Sequence, residues 1–347
     1  MVAKKFHLIS PYELSEESRW HLGNLHLHST HSDGVFSPHE LRDIYMKKGF
    51  DFFALTDHNC MGDQGNNKND PEDRAYVLDL DVPPNDINNP PHFIALPGYE
   101  FCDVKSTSAT PHVNCIGAKT GRDGVHRPSD DYQGAIDQVN LEGGFAFFNH
   151  PFIDTLRGWD FRYLRGEDPL MILRGLRGIE LVNTGSIYYR KERKNPMSYG
   201  LCAHLWDEIL SRGVKLWAYV GDDFHKFDEE IPCNALNVVL TKEFTREEII
   251  RNLKTGNFYA STGLMITGIE VMHDTIKVVT DDIADFRFIG FGGKVLKETK
   301  EKETEYKVKG NEVYIRVEVS NNLPVFDDTP ELRGFTQTAW TQPIFIE

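Results

Sequence analysis

Cysteine is scarce in this chain and follows no pattern. Its five cysteines among 347 residues, Cys60, Cys102, Cys115, Cys202 and Cys233, include no C-x-x-C pair. A disulfide framework and a zinc-ribbon site are therefore not expected, and a reduced, cytoplasmic location is. Long apolar runs are missing too: no stretch reaches about 18 apolar residues, so no membrane span is expected. The lysines in the opening MVAKKFHLISPYEL are not followed by the apolar core of a signal peptide. Basic residues are also in deficit, with 38 Lys and Arg against 53 Asp and Glu, a formal net charge of -15. Such a surface disfavours duplex nucleic acid, whose backbone is bound by clustered Lys and Arg. A phosphorylated small molecule stays compatible, because bound cations invert the local field of a pocket. No glycine-rich phosphate loop is present either, since Gly117-x-x-x-Gly121 lacks the following Lys-Ser/Thr. A small-molecule substrate is the expected partner, and homo-oligomerisation is left open.

What the chain does have is a regular alternation of apolar β-type runs and helical patterns, which predicts an α/β domain with a mostly parallel sheet. Strands are expected at 24–28, 52–56, 93–96, 112–118, 145–148, 179–182 and 215–220. Ser37-Pro38-His39-Glu40 and Thr245-Arg246-Glu247-Glu248 read as capping boxes that open helices. Further helices are expected at 132–142 and around Leu205 and Ile209, ending near Gly213. Residues 61–91, rich in Asn, Asp and Pro, read as a surface insertion. After Thr262 the texture changes to short alternating stretches at 266–271, 275–279, 286–291, 305–308 and 313–319. Residues 1–262 are thus expected to form the main α/β domain, and 263–347 a small antiparallel β-domain suited to packing or dimerisation.

The 14 histidines carry the functional signal through their positions. His26 and His28 close the first expected strand, and Asp57 and His58 follow the second. Glu100 follows the third. His112 opens its strand, against the pattern, while Asn149 and His150 close theirs. Asn183 closes another, and Asp222, Asp223 and His225 follow the last. In a barrel of parallel strands these ends share one rim, where active sites are built. Imidazoles and carboxylates are ligands for zinc, manganese and iron, and a carboxylate can bridge two ions. The period of two along a strand turns His26 and His28 to the same side.

These residues resemble the PHP (polymerase and histidinol phosphatase) superfamily. His26-Leu27-His28-Ser29-Thr30-His31-Ser32-Asp33-Gly34 is similar to its first motif, and Leu55-Thr56-Asp57-His58 to its second. Pro97-Gly98-Tyr99-Glu100 resembles the segment that supplies a bridging glutamate. His112, Asn149-His150-Pro151 and Gly221-Asp222-Asp223-Phe224-His225 resemble the later motifs in order. The resemblance, over about residues 20–262, implies a distorted seven-stranded (β/α) barrel with two or three divalent metal ions. It implies His26, His28, Glu100 and Asp223 around one ion, Glu100, His112 and His150 around a second, and Asp33, His58 and His225 around a third. His31 is an alternative to Asp33, which better fits the Ser-Asp-Gly turn. Asp57 and Asp222 are expected to orient ligating imidazoles. Finer similarity to a carbaryl-hydrolase-like branch rests on 205–210, 256–263 and 339–344, where Trp206 and Trp340 read as packing residues.

The implied activity is metal-dependent hydrolysis of a phosphomonoester or phosphodiester by a hydroxide bridging the ions. Asp33, His225 and Glu100 are the expected catalytic groups, and Arg190, Asn183 and Lys226 the expected substrate contacts. Hydrolysis of a carboxylic or carbamic ester or an amide is the rival activity, and a non-catalytic metal-binding module is a third reading. Elemental analysis of the purified protein is predicted to give two or three ions per chain, and His26→Ala to lose most of them. Wild-type metal content in that variant would contradict the ligand assignment.

Overall fold

The computed structural model of the protein describes residues 6–58, 80–83, 92–101, 112–118, 132–151, 174–226 and 233–347. The architecture is mixed α/β, rich in strands and with few helices. Strands β1 (Leu8–Ile9) and β2 (Arg19–Asn24) lead to α1 (Pro38–Lys47). The Ser37 box opens α1: Ser37 Oγ accepts from the Glu40 N–H at 3.3 Å, and the Glu40 carboxylate accepts from the Ser37 N–H at 2.8 Å. Proline is harmless at the first helical position, whose N–H has no partner within a helix. Then come β3 (Phe52–Leu55), β4 (Ile94–Phe101), β5 (Val113–Ile116), α2 (Tyr132–Leu141), β6 (Phe145–Phe148) and β7 (Leu176–Asn183). Helices α3 (Thr184–Tyr188) and α4 (Ala203–Ser211) precede β8 (Trp217–Gly221) and β9 (Leu236–Thr241). Helix α5 (Arg246–Thr255) starts on Thr245 and stops at Gly256, whose φ of 89° is a left-handed cap suited to glycine.

The expected, mostly parallel sheet needs correction at β9, which runs antiparallel to β2 and to Phe258–Ser261, and at β5. Strands β2, β3 and β4 are parallel, and so are β6, β7 and β8, but β5 runs antiparallel to both β4 and β6. Reversal of β5 explains why His112 precedes its strand while the other candidates follow theirs. The start of a reversed strand lies at the same end as the finish of its neighbours. Beyond the ends of β2 and β8, Leu27 and Phe224 form an isolated parallel bridge. Of the 61–91 stretch, only 80–83 lies within the described residues. There Leu80 is buried, Asp81 pairs with Arg246 at 2.6 Å and Val82 bridges Phe93.

The remaining strands are β10 (Phe258–Ser261), β11 (Ile266–Met272), β12 (Thr275–Gly290), β13 (Lys294–Lys307), β14 (Tyr314–Pro324), β15 (Thr336–Thr341) and β16 (Ile344–Ile346). All their pairings are antiparallel. The expected break at residue 262 does not interrupt the hydrogen bonding, because β10 pairs with β9 on one side and β15 on the other. Two stretches expected as separate strands are the single β12, with a register shift against β13 between Val279 and Ala284. Asp281 and Asp282 break the apolar alternation at that irregularity, which is why the sequence reads as a turn.

Apolar residues fill both faces of the parallel strands, as a sheet covered on both sides requires. Phe52, Ala54, Ile94, Leu96, Phe145, Phe147 and Tyr219 form one cluster, with the Phe147 and Tyr219 rings stacked at 4.5 Å between centroids. Fully burying each large apolar side chain contributes about 1.5–3 kcal/mol. The C-terminal strands are locked on by a buried ion pair. Arg316 on β14 donates two hydrogen bonds of 2.7 Å to Asp207 on α4, Tyr314 donates a third of 2.8 Å, and the guanidinium lies over the Trp206 ring. Gln342 adds a two-way bond to the Ala218 backbone, 2.9 Å each way. Thus 205–210, 256–263 and 339–344 meet at this junction, which explains them as packing. Removing Asp207 leaves a buried guanidinium with only its longer contact to Glu318, at 3.4 Å. Asp207→Ala is predicted to lower the unfolding free energy by about 3–5 kcal/mol in urea denaturation, and an unchanged midpoint would contradict this role for the pair.

Candidate metal centre

After β2 the chain runs on through His26 and His28, held in place by the chain that leaves β8. Asp223 N–H donates to the His26 carbonyl at 2.9 Å, and His28 N–H to the Phe224 carbonyl at 3.0 Å. Asn24 accepts from the His26 N–H at 3.0 Å. Both rings are fully buried, 5.3 Å apart, and both turn Nε2 to the Asp223 carboxylate, at 3.2 Å from His26 and 3.3 Å from His28. β4 brings Glu100 into the middle. Its Oε1 lies 3.3 Å from His26 Nε2, 3.0 Å from His112 Nδ1 and 3.1 Å from His150 Nε2. Its Oε2 lies 2.9 Å from His58 Nδ1 and 3.3 Å from His28 Nε2. Asn149 donates to Oε1 at 2.6 Å. On the solvent side, Asp33 Oδ1 is 3.3 Å from His225 Nε2 and 3.7 Å from His58 Nε2.

All nine expected ligand residues are therefore brought together. Ligand atoms lie within 4.8 Å of one another in four sets: His28, Asp33, His58 and His225; His26, His28 and Asp223; His26, Glu100 and His150; and His58, Glu100 and His112. His31 is in none of them. The sets share His26, His28, His58 and Glu100, so the division into three separate ligand groups is less sharp than the motifs imply. Two ligand candidates also have left-handed backbones, His150 at φ 29° and Asp223 at φ 49°. For non-glycine residues such conformations cost on the order of 1–3 kcal/mol and concentrate where function requires them.

The residues fit cations on a test internal to the protein. His26 Nδ1 lies 2.8 Å from the buried Glu180 carboxylate and so donates its proton there. In the neutral ring Nε2 is then a bare lone pair, yet it faces two carboxylates. His26 Nε2, His28 Nε2 and Glu100 Oε2 are buried without a hydrogen-bond partner. Lone pairs turned on carboxylates in a dry interior repel, and such groups are kept only when something positive lies between them.

Without a cation, protons take that place. Burial opposes charge on His26, but the Asp223, Glu180 and Glu100 carboxylates hold its pKa well above the ordinary value. Burial opposes charge on His225 too, and Asp33 and Asp223 raise its pKa. His28 goes the other way, lowered by burial and by the neighbouring His225 and His58. Burial alone would raise Glu100 and Asp223; the facing imidazoles, His112 and His26 foremost for Glu100 and His26 for Asp223, hold both well below the carboxylate range.

Several expected roles need correction. Asp57 does not orient an imidazole: its carboxylate accepts from Ser29 N, Ser29 Oγ and Ser32 Oγ, each at 2.7 Å, and so pins the loop after His28. Asp222 is likewise a hub for neighbouring chain, accepting from Asn24, Tyr45, Thr184 and the Asn234 and Ala235 N–H groups. Burial pushes its pKa up to about 7 against the pull of these donors. Asn183 is buried and spent, donating to Glu180 at 3.0 Å and Asp223 at 3.2 Å while accepting from the Ser186 N–H, so it is not placed to contact substrate. Arg190 turns to the Ser186 carbonyl at 3.3 Å and stacks on Tyr199, whereas Lys226, beside His225, is exposed. Sequence reasoning missed Glu180. Its signal was a lone carboxylate within the otherwise apolar run Gly178-Ile179-Glu180-Leu181-Val182.

No family model matches the chain. Over 36 residues it is 53% identical to the DNA polymerase/3'-5' exonuclease PolX of Bacillus subtilis (strain 168). That stretch spans 10% of this chain and 6% of that protein. In its ordered histidine and acid motifs, the chain resembles the PHP superfamily. Among solved structures it is similar to a two-domain protein containing predicted PHP-like metal-dependent phosphoesterase from Bacteroides vulgatus ATCC 8482. That similarity has 17% identity over 94% of this chain and 96% of the other, with a TM-score of 0.45. It is also similar to an amidohydrolase from Chromobacterium violaceum, at 18% identity over 60% of this chain and 89% of the other, with a TM-score of 0.37. None of these similarities bears on the carbaryl-hydrolase-like branch, whose shared segments lie at the packing junction.

The PHP-type motifs thus converge on groups whose protons must leave before Nε2 can bind an ion. Zinc uptake is predicted to release protons, and affinity to rise with pH as His26 and His225 are more easily deprotonated. Calorimetry in buffers of different ionisation enthalpy measures the release. A pH-independent affinity with no proton released would contradict the ligand assignment.

Proposed function

We propose that the protein is a metal-dependent hydrolase, acting as a phosphoesterase on a small phosphomonoester or phosphodiester. The observation that carries this reading is Glu100, a fully buried carboxylate with five imidazoles within 3.3 Å. Its two oxygens face different partners, so Glu100 is the residue that would bridge two cations. His26, His28 and Asp223 would complete one site with it, His112 and His150 a second, and Asp33, His58 and His225 a third. Zinc, manganese and iron suit this donor set. The Leu27–Phe224 bridge supports closure of residues 1–262 into a distorted barrel, with 263–347 as an appended β-module. No helix among the described residues is long and apolar enough to cross a membrane.

Divalent ions held here would make water acidic enough to ionise near neutral pH and would polarise a substrate oxygen. The chain's own groups supply the rest. Buried His26, His28 and Glu100 form a rigid floor beneath the centre. Asp33, His225 and His112 are its solvent-facing members, with side-chain exposures of 38%, 25% and 29%. His225 Nδ1 donates to the Asp223 carbonyl at 2.9 Å, which leaves Nε2 facing Asp33. From there the pair can hold a proton and pass it to a departing group. Lys226 is an exposed cation beside this edge, and we assign it and Arg190 to substrate phosphate.

The test is turnover of p-nitrophenyl phosphate, bis-p-nitrophenyl phosphate and an aryl carbamate by zinc-, manganese- and iron-loaded protein. Hydrolysis of a phosphate ester is expected, abolished by chelation and restored by the ion. Activity confined to the carbamate would overturn the phosphoesterase assignment, and metal uptake without turnover would favour a binding module.

A further inference from the structure

The fully buried Glu180 lies on β7 beneath the centre and outside the expected ligand set. Its Oε1 is 2.8 Å from His26 Nδ1, while Oε2 accepts from the His150 N–H at 2.7 Å and from Asn183 Nδ2 at 3.0 Å. Asn183 in turn donates to Asp223 Oδ2 at 3.2 Å. One carboxylate therefore reaches His26 and His150 directly and Asp223 through a single residue. The packing around it is tight: a Cβ at Gly221 would come within 2.3 Å of Glu180 Oε1 and 2.5 Å of His26 Cβ. Only glycine lets β8 press this closely on the pair.

We propose that Glu180 is a positioning residue, which fixes His26 with its proton on Nδ1 and its Nε2 lone pair turned into the centre, and sets the His150 backbone and Asp223 beside it. The inference rests on the metal-centre reading. Its chemistry follows from donor and acceptor counts. The two Glu180 carboxylate oxygens take all three bonds at once. A glutamine there cannot. The end facing the His150 N–H and Asn183 Nδ2 meets two donors and must be the amide oxygen. The amide NH2 then points at His26 Nδ1, which must accept, and the ring proton moves to Nε2, the atom that should bind an ion.

Zinc affinity of the full-length protein, measured by chelator competition for wild type and Glu180→Gln, tests this, with thermal melting of both metal-free forms alongside. The substitution is expected to weaken binding of one ion about 10–100-fold while the metal-free melting curve stays close to wild type. Unchanged zinc affinity would overturn the proposal and leave the metal-centre reading standing. A wild-type protein that takes up no zinc would overturn both. Nitrogen-15 spectra of zinc-loaded wild type need no variant and give an independent answer. A proton on His26 Nδ1 with zinc on Nε2 is expected, and the reverse arrangement would refute the proposal.

Discussion

A buried carboxylate ringed by imidazoles, with His26 Nε2 and His28 Nε2 left without a hydrogen-bond partner, is the constraint on which the site depends. Glu100 and Asp223 face His26 Nε2 and His28 Nε2 across 3.2–3.3 Å, with Glu100 and both rings fully buried. Moving such charges from water into a protein interior costs several kcal/mol each unless they are compensated. Protons can compensate them in part, as the raised His26 and depressed Glu100 indicate. Divalent cations would compensate them while using the lone pairs rather than capping them.

The sheet exists, in this sense, to hold those groups against their mutual repulsion. Parallel strands on either side of β5 deliver ligands from their ends, and the reversal of β5 delivers His112 from its beginning. The apolar cluster of Phe52, Leu96, Phe147 and Tyr219 gives the assembly a floor that cannot relax. Backbone strain at His150 and Asp223 is offset by hydrogen bonds that run through Glu180 and Asn183. The C-terminal strands are fastened to α4 and β8 through Arg316, Asp207 and Gln342.

Much of this is legible in the sequence, for identifiable reasons. Ser37 and Glu40 announce α1 because capping is local, and Phe145–Phe148 stands out as a short apolar run between glycine and a polar end. The ligand residues are legible because imidazoles recur at strand ends, whatever the exact strand limits. His26 and His28 in fact follow β2 rather than end it, and Glu100 lies within β4. What stays hidden is long-range. The direction of β5 depends on its neighbours, β13 is too charged to look like a strand, and β9 and β10 are defined by partners far along the chain. Asp57 and Asp222 sit beside motif histidines yet bond to serines, a tyrosine and backbone, a distinction that only coordinates make. Glu180 was visible only as an acid out of place.

The central claim is that cations belong between these lone pairs and carboxylates. Anomalous X-ray scattering at the zinc edge, from crystals of the zinc-loaded protein, tests it directly. The account predicts peaks bounded by Glu100, by His26 and His28 Nε2 and by Asp223. Strong diffraction with no anomalous peak among these side chains, or with their rings turned away from a shared centre, would contradict it.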